Sequence, residues 1–141
     1  LCIVGAEQAA IDGIEIEAKA WRLEDEVADL QGFDIGLMPM PDDPWTRGKG
    51  GYKLLQYMAT GLPVLTSPVG INQQIVEDGC QGFWASTSAE WLARLEELVT
   101  DEALRRRMGQ EGRRRVEEVY ALNVQQIRFA QLLQTLVQEG R

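Results

Sequence analysis

The hydrophobic positions of the chain fall into two patterns, short apolar runs and longer stretches with helical spacing. Short apolar runs bounded by Gly, Pro, Asn or Asp are typical of buried strands. They predict strands at residues 1–4, 34–39, 63–66 and 82–85, and the alternation at 14–18 predicts one more. Between them, helical spacing predicts helices at 21–30, 52–60, about 72–76 with Asn72 or a neighbour as its cap, and 89–99 with Ser88 as its N-cap.

From residue 101 the pattern is entirely helical. Asp101 is expected to cap a helix that runs to about Tyr120, and a final helix is predicted over residues 123–138. The Leu and Val stripe of that final helix is expected to lie in the core. Strands that alternate with helices favour an α/β fold, a parallel sheet with helices on both faces, followed here by a helical tail. Without a linker or repeat, residues 1–141 are predicted to form one domain.

Composition narrows the class of protein. The 141 residues are 45% hydrophobic and 26% charged, which is ordinary for a globular domain. The formal net charge of −8 disfavours a nucleic-acid binder, and no apolar run reaches the length of a membrane span. There is no His, and Cys2 and Cys80 lack metal-ligand spacing, which excludes a zinc site and a His-based catalytic triad within this chain. A reduced, cytoplasmic protein fits this composition.

The first residues indicate that the sequence is part of a longer protein. Leu1 begins an apolar run with no initiator Met before it. We therefore expect a domain truncated at its amino-terminal end, and a processed natural start is the alternative interpretation.

The longest predicted loop, residues 40–51, leads directly into the helix that is expected to start at Tyr52. In a parallel sheet such a loop follows the carboxyl end of a strand, where these folds bind ligands. Glycines let a phosphate approach the backbone closely, and the first amides of a helix attract anions. The residues predicted to bind a diphosphate are Gly50, Gly51, Tyr52, Lys53 and Leu54.

Gln56 lies one turn deeper, where its amide is suited to the vicinal hydroxyls of a ribose. Lys53 adds a positive charge for the diphosphate. The stretch is neither a P-loop nor a Gly-x-Gly-x-x-Gly fingerprint. From spacing alone a second interpretation stays open, in which the glycines only form a tight turn and Lys53 is a solvated surface lysine.

The same region carries a family resemblance. Residues 53–70, KLLQYMATGLPVLTSPVG, followed by IVEDG at 75–79, resemble the carboxyl-terminal domain of retaining, family-four glycosyltransferases. The strand DIGLMP at 34–39 and the helix DEALRRRMG at 101–109 extend the resemblance over about residues 34–120. The resemblance implies the GT-B architecture, two Rossmann-like domains with the active site between them.

For function, the resemblance implies transfer of a sugar from a UDP- or GDP-linked donor to a glycan, lipid-linked or small-molecule acceptor, with retention of configuration. Such enzymes need no protein nucleophile, because the leaving diphosphate is thought to act as the base. We therefore expect no catalytic side chain in this chain, no metal and no cofactor besides the donor substrate. The acceptor domain and the basic pair that holds the donor phosphates would be missing here, so the fragment alone is expected to transfer no sugar. In the resembled family the last helix often returns toward the acceptor domain, which would leave one face of residues 123–138 uncovered here.

The resemblance also assigns roles within the site. The helix start at Tyr52 would take the diphosphate, Gln56 the ribose, and the loop at 48–51 would face the donor sugar. Many members carry two glutamates eight positions apart, and here those positions are Gly48 and Gln56. A neutral amide loses the stronger charge-assisted hydrogen bonds of a carboxylate. A subgroup of the family has Lys at the position of Lys53 in place of the first glutamate, and this chain resembles that subgroup.

Four further residues of the loop are candidates for sugar or phosphate contacts: Arg47, Lys49, Asp43 and Trp45. Trp45 is suited either to stacking on a sugar or base or to anchoring the loop on the domain. The pair Asp42-Asp43 is interpreted as a solvated turn rather than a metal motif. Arg47 and Lys49 either contact phosphate or are solvated loop charges.

Two arginine triplets, 105–107 and 113–115, favour a solvated helix face paired with Glu111, Glu117 and Glu118 over contact with anionic lipid at a membrane surface. The alternative function, of a different class, is a non-catalytic doubly wound α/β module that binds a nucleotide or regulates a partner. The neutral residues Gly48 and Gln56 favour that alternative.

Overall fold

Contacts within the chain divide it into two units, Leu1–Phe33 and Asp34–Arg141. The fold is known from a computed structural model, which describes residues 1–6, 8 and 10–140. Each unit is described by itself below. That residues 1–141 form one domain stays a prediction.

The first unit contains two parallel strands and one helix. Strand β1, Cys2–Val4, pairs with β2, Glu17–Lys19, and helix α1 covers Glu26–Gln31. The predicted first strand is confirmed, but the second lies later than the alternation at 14–18 indicated, because pairing with β1 brings residues 17–19 into register. The predicted helix at 21–30 begins only after Trp21 and Leu23, whose side chains are 49% and 72% exposed.

The second unit continues with alternating strands and helices. Its elements are β3 (Gly36–Met38), α2 (Pro44–Arg47), α3 (Tyr52–Ala59), β4 (Val64–Thr66), α4 (Asn72–Ile75), β5 (Gly82–Trp84), α5 (Ser88–Thr100), α6 (Glu102–Arg115), a π-helical segment (Val116–Tyr120) and α7 (Leu122–Glu139). Every strand and helix predicted from residue 34 onward is present within one or two residues. One helix, α2, was not predicted, because residues 40–51 were expected to form loop only.

The three strands of the second unit are parallel in the order β3-β4-β5, with Val64 opposite both Gly36 and Gly82. Successive side chains of a strand point to opposite faces. Val64 therefore packs with Leu54 and Met58 of α3, while Leu65 packs on the other face with residues that include Leu98 of α5 and Met108 of α6. The predicted α/β fold with helices on both faces of a parallel sheet is confirmed.

Side chains cap the two long helices after β5. Thr87 accepts a hydrogen bond from the backbone N–H of Glu90, whose carboxylate in turn accepts from the backbone N–H of Thr87. Thr87, rather than the predicted Ser88, is the N-cap because its extended backbone leaves the side chain free to turn back on the helix. Asp101 caps α6 as predicted, accepting from the backbone N–H of Leu104 at 2.8 Å.

Helix α7 differs from the expectation for its apolar stripe. None of its described residues is buried, and Phe129 and Leu136 are 63% and 56% exposed. The prediction that the stripe lies in the core of this chain is wrong, because these side chains find no cover among the residues that the structure describes. Across residues 1–6, 8 and 10–140, no helix is long and apolar enough to cross a membrane.

Candidate functional site

Helix α3 begins without a side-chain cap at the end of the loop that follows β3. Its N-cap is Gly51, at φ +65°, in the left-handed region that favours glycine. The residue is buried, and a Cβ at this position would collide with Cδ1 of Ile75 in α4. The glycine thus seats the start of α3 against α4, and its missing side chain leaves the first turn without a side-chain cap.

The first turn of α3 supplies fewer outward donors than the sequence predicted. The backbone N–H of Leu54 donates to the carbonyl of Gly51 at 3.0 Å, and the Leu54 side chain is fully buried. This amide already has an acceptor because the turn is tight, which corrects the expectation for Leu54. Tyr52 and Lys53 are exposed at the helix start, and a Cβ on Gly50 would meet no atom within 4 Å. Diphosphate binding by these residues stays a prediction.

Gln56 is half-buried one turn further along α3. Its Oε1 is shielded from solvent and has no hydrogen-bond partner, and within the described part of the chain it is the one buried side-chain oxygen or nitrogen in that condition. Buried polar groups in native proteins are almost always paired, so an orphan acceptor marks a functional candidate. The sequence singled out Gln56 for its position but gave no sign of this unpaired atom.

Helix α2 occupies the first part of the loop at residues 40–51 and is capped at its start. Asp43 accepts a hydrogen bond from the backbone N–H of Thr46 at 2.8 Å, and the Thr46 hydroxyl accepts from the backbone N–H of Asp43 at 3.2 Å. The Thr46 backbone N–H holds the pKa of Asp43 below its ordinary value. Pro44 at the first helical position completes the start of the helix. The carboxylate that was a candidate sugar contact is therefore a helix cap in this structure.

Asp42 and Arg47 form an exposed, two-pronged ion pair across α2. Nε of Arg47 donates to Oδ1 of Asp42 at 2.6 Å and Nη2 to Oδ2 at 3.0 Å. The guanidinium lowers the pKa of Asp42 below its ordinary value. The neighbouring aspartates thus have separate structural roles, a helix cap and an ion pair, which the turn interpretation did not specify. Among residues 1–6, 8 and 10–140, no group of three or more Cys, Asp or Glu is placed to hold a metal ion.

The other two loop candidates are exposed. Trp45 is 80% exposed, which contradicts the interpretation that it anchors the loop on the domain. Lys49 is also exposed, in the glycine-rich segment between α2 and α3. Both side chains are accessible to a ligand, and their contact with a sugar or phosphate stays a prediction.

The arginines of α6 serve mainly as helix caps and ion-pair partners. Arg113 donates to the carbonyl of Ala59 at the end of α3, and Arg115 donates to the carbonyls of Gln74 and Ile75 at the end of α4. Such contacts satisfy carbonyls that a helix end leaves open. The predicted ion pairs with carboxylates are confirmed: Arg113–Glu117, Arg114–Glu111 and Arg114–Glu118. Lipid contact stays a prediction.

A shallow depression of about 490 Å³ lies at the opposite end of α3 from Gly51. It is lined by Thr60 and Gly61 at the end of α3 and by α6 residues that include Arg106, Arg113 and Arg114. Each of these guanidinium groups is already paired with a glutamate. The depression therefore offers little uncompensated charge, and the predicted site remains at the helix start.

Sequence reasoning missed the role of Asn72. Asn72 or a neighbour was expected to cap α4; the N-cap position is the neighbouring Ile71, which makes no side-chain cap. The buried Asn72 amide instead donates to the Thr66 hydroxyl and the Ser67 carbonyl, at the carboxyl end of β4. The available signal was a polar amide a few residues after a buried strand, at the edge where ligands bind.

Comparison with known proteins places this geometry in a family. The profile of the family described as "Glycosyl transferases group 1" matches residues 35–115, more than half of the chain. No curated protein sequence gives a significant match.

Two solved structures share the fold. A sucrose-phosphate synthase from Thermosynechococcus elongatus matches with a TM-score of 0.75 and 20% identity, over 88% of this chain and 31% of that one. The Anabaena protein HepE, solved in complex with UDP-glucose, matches with a TM-score of 0.64 and 19% identity, over 86% of this chain and 32% of that one. The chain thus spans about a third of each protein.

The family match covers the loop after β3, the uncapped start of α3 and the Arg-rich helix α6 together. The two structural matches confirm the Rossmann-like GT-B type of fold. The chain belongs to the glycosyl transferases group 1 family.

Proposed function

We propose that the full-length protein is a glycosyltransferase that moves a sugar from a UDP- or GDP-linked donor to an acceptor with retention of configuration. In this proposal the present chain binds the nucleotide end of the donor, with the diphosphate at the start of α3 and the ribose at Gln56. The observation that carries it is the buried, unpaired Oε1 of Gln56, one turn inside a helix N-terminus that no side chain caps.

The helix start suits a diphosphate electrostatically. The aligned peptide dipoles place roughly half a positive charge at a helix N-terminus, and Lys53 adds a full charge on the first turn. Sugar transfer builds negative charge on the leaving diphosphate, so groups that stabilise it accelerate the reaction without a protein nucleophile. The complex of HepE with UDP-glucose supports a nucleotide sugar as the class of donor.

Gln56 contributes an acceptor that the free protein does not satisfy. An unpaired buried polar group costs about 1–3 kcal/mol, so any ligand hydroxyl that reaches it regains that free energy. Rotation of the side chain would turn the amide outward, where one oxygen and two N–H groups match a pair of vicinal hydroxyls. A ribose supplies such a pair.

The sugar end of the donor has fewer polar partners. Asp43 caps α2 and Arg47 pairs with Asp42, so these side chains would have to leave their partners to contact the sugar. Trp45 and Lys49 are exposed, so Trp45 is available to stack on the sugar and Lys49 to supply positive charge. Gly48 offers no side chain, although a Cβ there would approach no atom closer than 3.5 Å.

That bare position at Gly48 favours a second function, a nucleotide-binding module that does not discriminate the sugar and does not transfer it. The two functions differ in how affinity responds to the donor sugar. A transferase domain should bind the nucleotide sugar and the nucleoside diphosphate with different affinities and turn over the former. A binding module without transfer activity should bind both with equal affinity and show no turnover.

Calorimetric titration of the protein at its full natural length with UDP, GDP and their glucose and mannose derivatives tests the proposal. We expect one nucleotide series to bind. Lys53→Ala should weaken that binding by roughly tenfold while leaving the thermal unfolding temperature unchanged. Arg107→Ala, a charge removal on the exposed face of α6, is the matched control and should leave affinity unaltered. Absence of binding to every nucleotide would refute the proposal.

A further inference from the structure

A hydrogen-bonded network joins the carboxyl ends of β3 and β4 to the start of α4. Asn72 is 2% exposed, and its Nδ2 donates to Oγ1 of Thr66 and to the carbonyl of Ser67, both at 3.1 Å. The Thr66 hydroxyl lies 3.2 Å from the carbonyl of Met38, to which it donates. Oγ of Ser67 accepts from the backbone N–H of Met40 at 2.9 Å. The start of the donor loop, defined as residues 40–51, is thereby tied to the carboxyl end of β4.

The same part of the chain also supports the far end of the donor loop. A Cβ on Gly51 would lie 3.4 Å from Oδ1 of Asn72, which places the amide directly beside the N-cap of α3. A Cβ on Gly70 would lie 2.6 Å from the carbonyl of Arg47, at the end of α2. Both flanks of the glycine-rich segment 48–50 therefore rest on the connection between β4 and α4.

We propose that Asn72 is a positioning residue for the nucleotide site. It holds the start of α3 and the donor loop in register with the strand ends, and it sets nucleotide affinity without touching the nucleotide. This inference rests on the proposed function, since it assumes that the start of α3 binds the donor. A buried amide suits the task because its hydrogen bonds are directional and lock one geometry, which an apolar side chain of equal size would not do.

Nucleotide affinity and stability of the full-length protein separate positioning from simple packing. Asn72→Ala should weaken binding of the preferred nucleoside diphosphate by roughly tenfold or more, the order expected when hydrogen bonds that fix a site are lost. Leu98→Ala is the matched control, because Leu98 is fully buried against the other face of the sheet. At a temperature where both variants are folded, Leu98→Ala should lose stability and keep its affinity. Equal affinities in wild type and Asn72→Ala would overturn the inference and leave the proposed function standing.

Amide hydrogen exchange in the free protein gives a second readout that needs no ligand. Asn72→Ala and the milder Asn72→Ser should accelerate exchange at the hydrogen-bonded amides of Met40, Leu54 and Leu55, while the amides of α5 stay protected. Thr66→Val should reproduce part of this effect, and its combination with Asn72→Ala should be less than additive, because both remove the same hydrogen bond. If the wild type binds no nucleotide, the proposed function fails and the positioning role of Asn72 falls with it. If the wild type does bind, unaltered exchange at Leu54 and Leu55 in Asn72→Ala would overturn the role of Asn72 and leave the proposed function standing.

Discussion

Helix α3 begins at a left-handed glycine with no side-chain cap, whereas its last turn is capped by the Arg113 guanidinium and covered by α6. At the covered end, Gly109 of α6 packs so closely that a Cβ there would collide with the carbonyl of Gly61. The carbonyls of the last turn thus find donors within the protein. The amides at the first turn of α3 have no side-chain acceptor of the kind that Thr87 and Asp101 provide for α5 and α6.

We interpret this difference as one between an end organised for stability and an end left open for the proposed ligand. A side chain at an N-cap contributes about 1 kcal/mol, so its omission costs stability. A cap at Gly51 would occupy the space in which an anion could approach the first turn. Substitutions at the two ends of α3 should therefore separate effects on stability from effects on nucleotide affinity.

Alanine at each of the two tightly packed glycines should destabilise the fold for different reasons. Gly51→Ala places a Cβ against Ile75 and forces a side chain into the left-handed region, at a cost of about 2–4 kcal/mol. Gly109→Ala places a Cβ against the backbone carbonyl oxygen of Gly61, which cannot move aside as a side-chain end can, so the cost should be about 3 kcal/mol or more. Urea unfolding measures both losses. Among molecules that remain folded, only Gly51→Ala should lose nucleotide affinity.

Gly50→Ala is the control for the glycine at the open end. Its Cβ would enter empty space at an ordinary backbone angle, so the free energy of unfolding should change by less than about 0.5 kcal/mol. Nucleotide affinity should nevertheless fall if a phosphate approaches this backbone. An affinity loss in Gly109→Ala equal to that of Gly51→Ala would contradict the division of roles between the two ends.

Gln56→Met should raise stability and lower affinity together. The substitution keeps the volume and removes the unpaired Oε1, so we expect the free protein to gain about 1 kcal/mol in urea unfolding. The same change removes the proposed ribose contact and should weaken nucleotide binding roughly tenfold. A variant that is both more stable and equally tight in binding would assign Gln56 to the scaffold.

Gln56→Glu sharpens that test in the opposite direction. A carboxylate in the same half-buried place costs more in the free protein, because burying an unpaired charge is less favourable than burying an amide. In the complex it gains charge-assisted hydrogen bonds to hydroxyls. We expect a lower melting temperature without nucleotide and a larger rise on its addition than in the wild type.

Arg113→Met should reduce stability slightly and leave nucleotide binding unchanged. The substitution keeps the apolar stem but removes the donor to the Ala59 carbonyl and the partner of Glu117. Because the side chain is 58% exposed, we expect a loss of only about 0.5–1 kcal/mol in urea unfolding. Weaker nucleotide binding in this variant would show that the covered end of α3 also shapes the site.

Much of the second unit could be predicted from the sequence because its signals are local. Gly61, Leu62 and Pro63 stop α3 and restart the chain as β4, and the structure follows that boundary within one residue. The family resemblance drawn from residues 34–120 is confirmed by the family match at 35–115. Helix-stop and turn residues, together with the order of the motifs, were therefore enough to predict the fold and the family.

The contacts that shape the site could not be predicted, since they join residues far apart in the chain. Arg113 reaches Ala59 and Arg115 reaches Ile75 across more than one intervening element, and nothing adjacent to either arginine signals its partner. The unpaired oxygen of Gln56 and the network around Asn72 likewise depend on packing. The apolar stripe of α7 is a further example. Its helical pattern was predicted correctly, but the pattern alone did not show that the apolar face is exposed.

The smallest predicted effect concerns α2, whose start is capped where that of α3 is not. The Thr46 backbone N–H lowers the pKa of Asp43 below its ordinary value of 3.8, so the ionised cap is favoured in the folded state. Its contribution to stability is complete above that ordinary value and is lost as pH falls through the lower pKa of the folded protein. The protection factor of the Thr46 amide, which corrects the exchange rate for its intrinsic pH dependence, should therefore fall below about pH 4.

Asp43→Asn isolates this titration. Asparagine is an equally good N-cap but does not ionise. The Thr46 amide should therefore stay protected at neutral pH, and its protection should no longer fall in acid. Asp42→Asn is the control: it removes the partner of Arg47 but leaves the cap, and the fall in Thr46 protection should persist. A fall in Thr46 protection in acid that survives Asp43→Asn and vanishes in Asp42→Asn would show that the ion pair, rather than the cap, stabilises the start of α2.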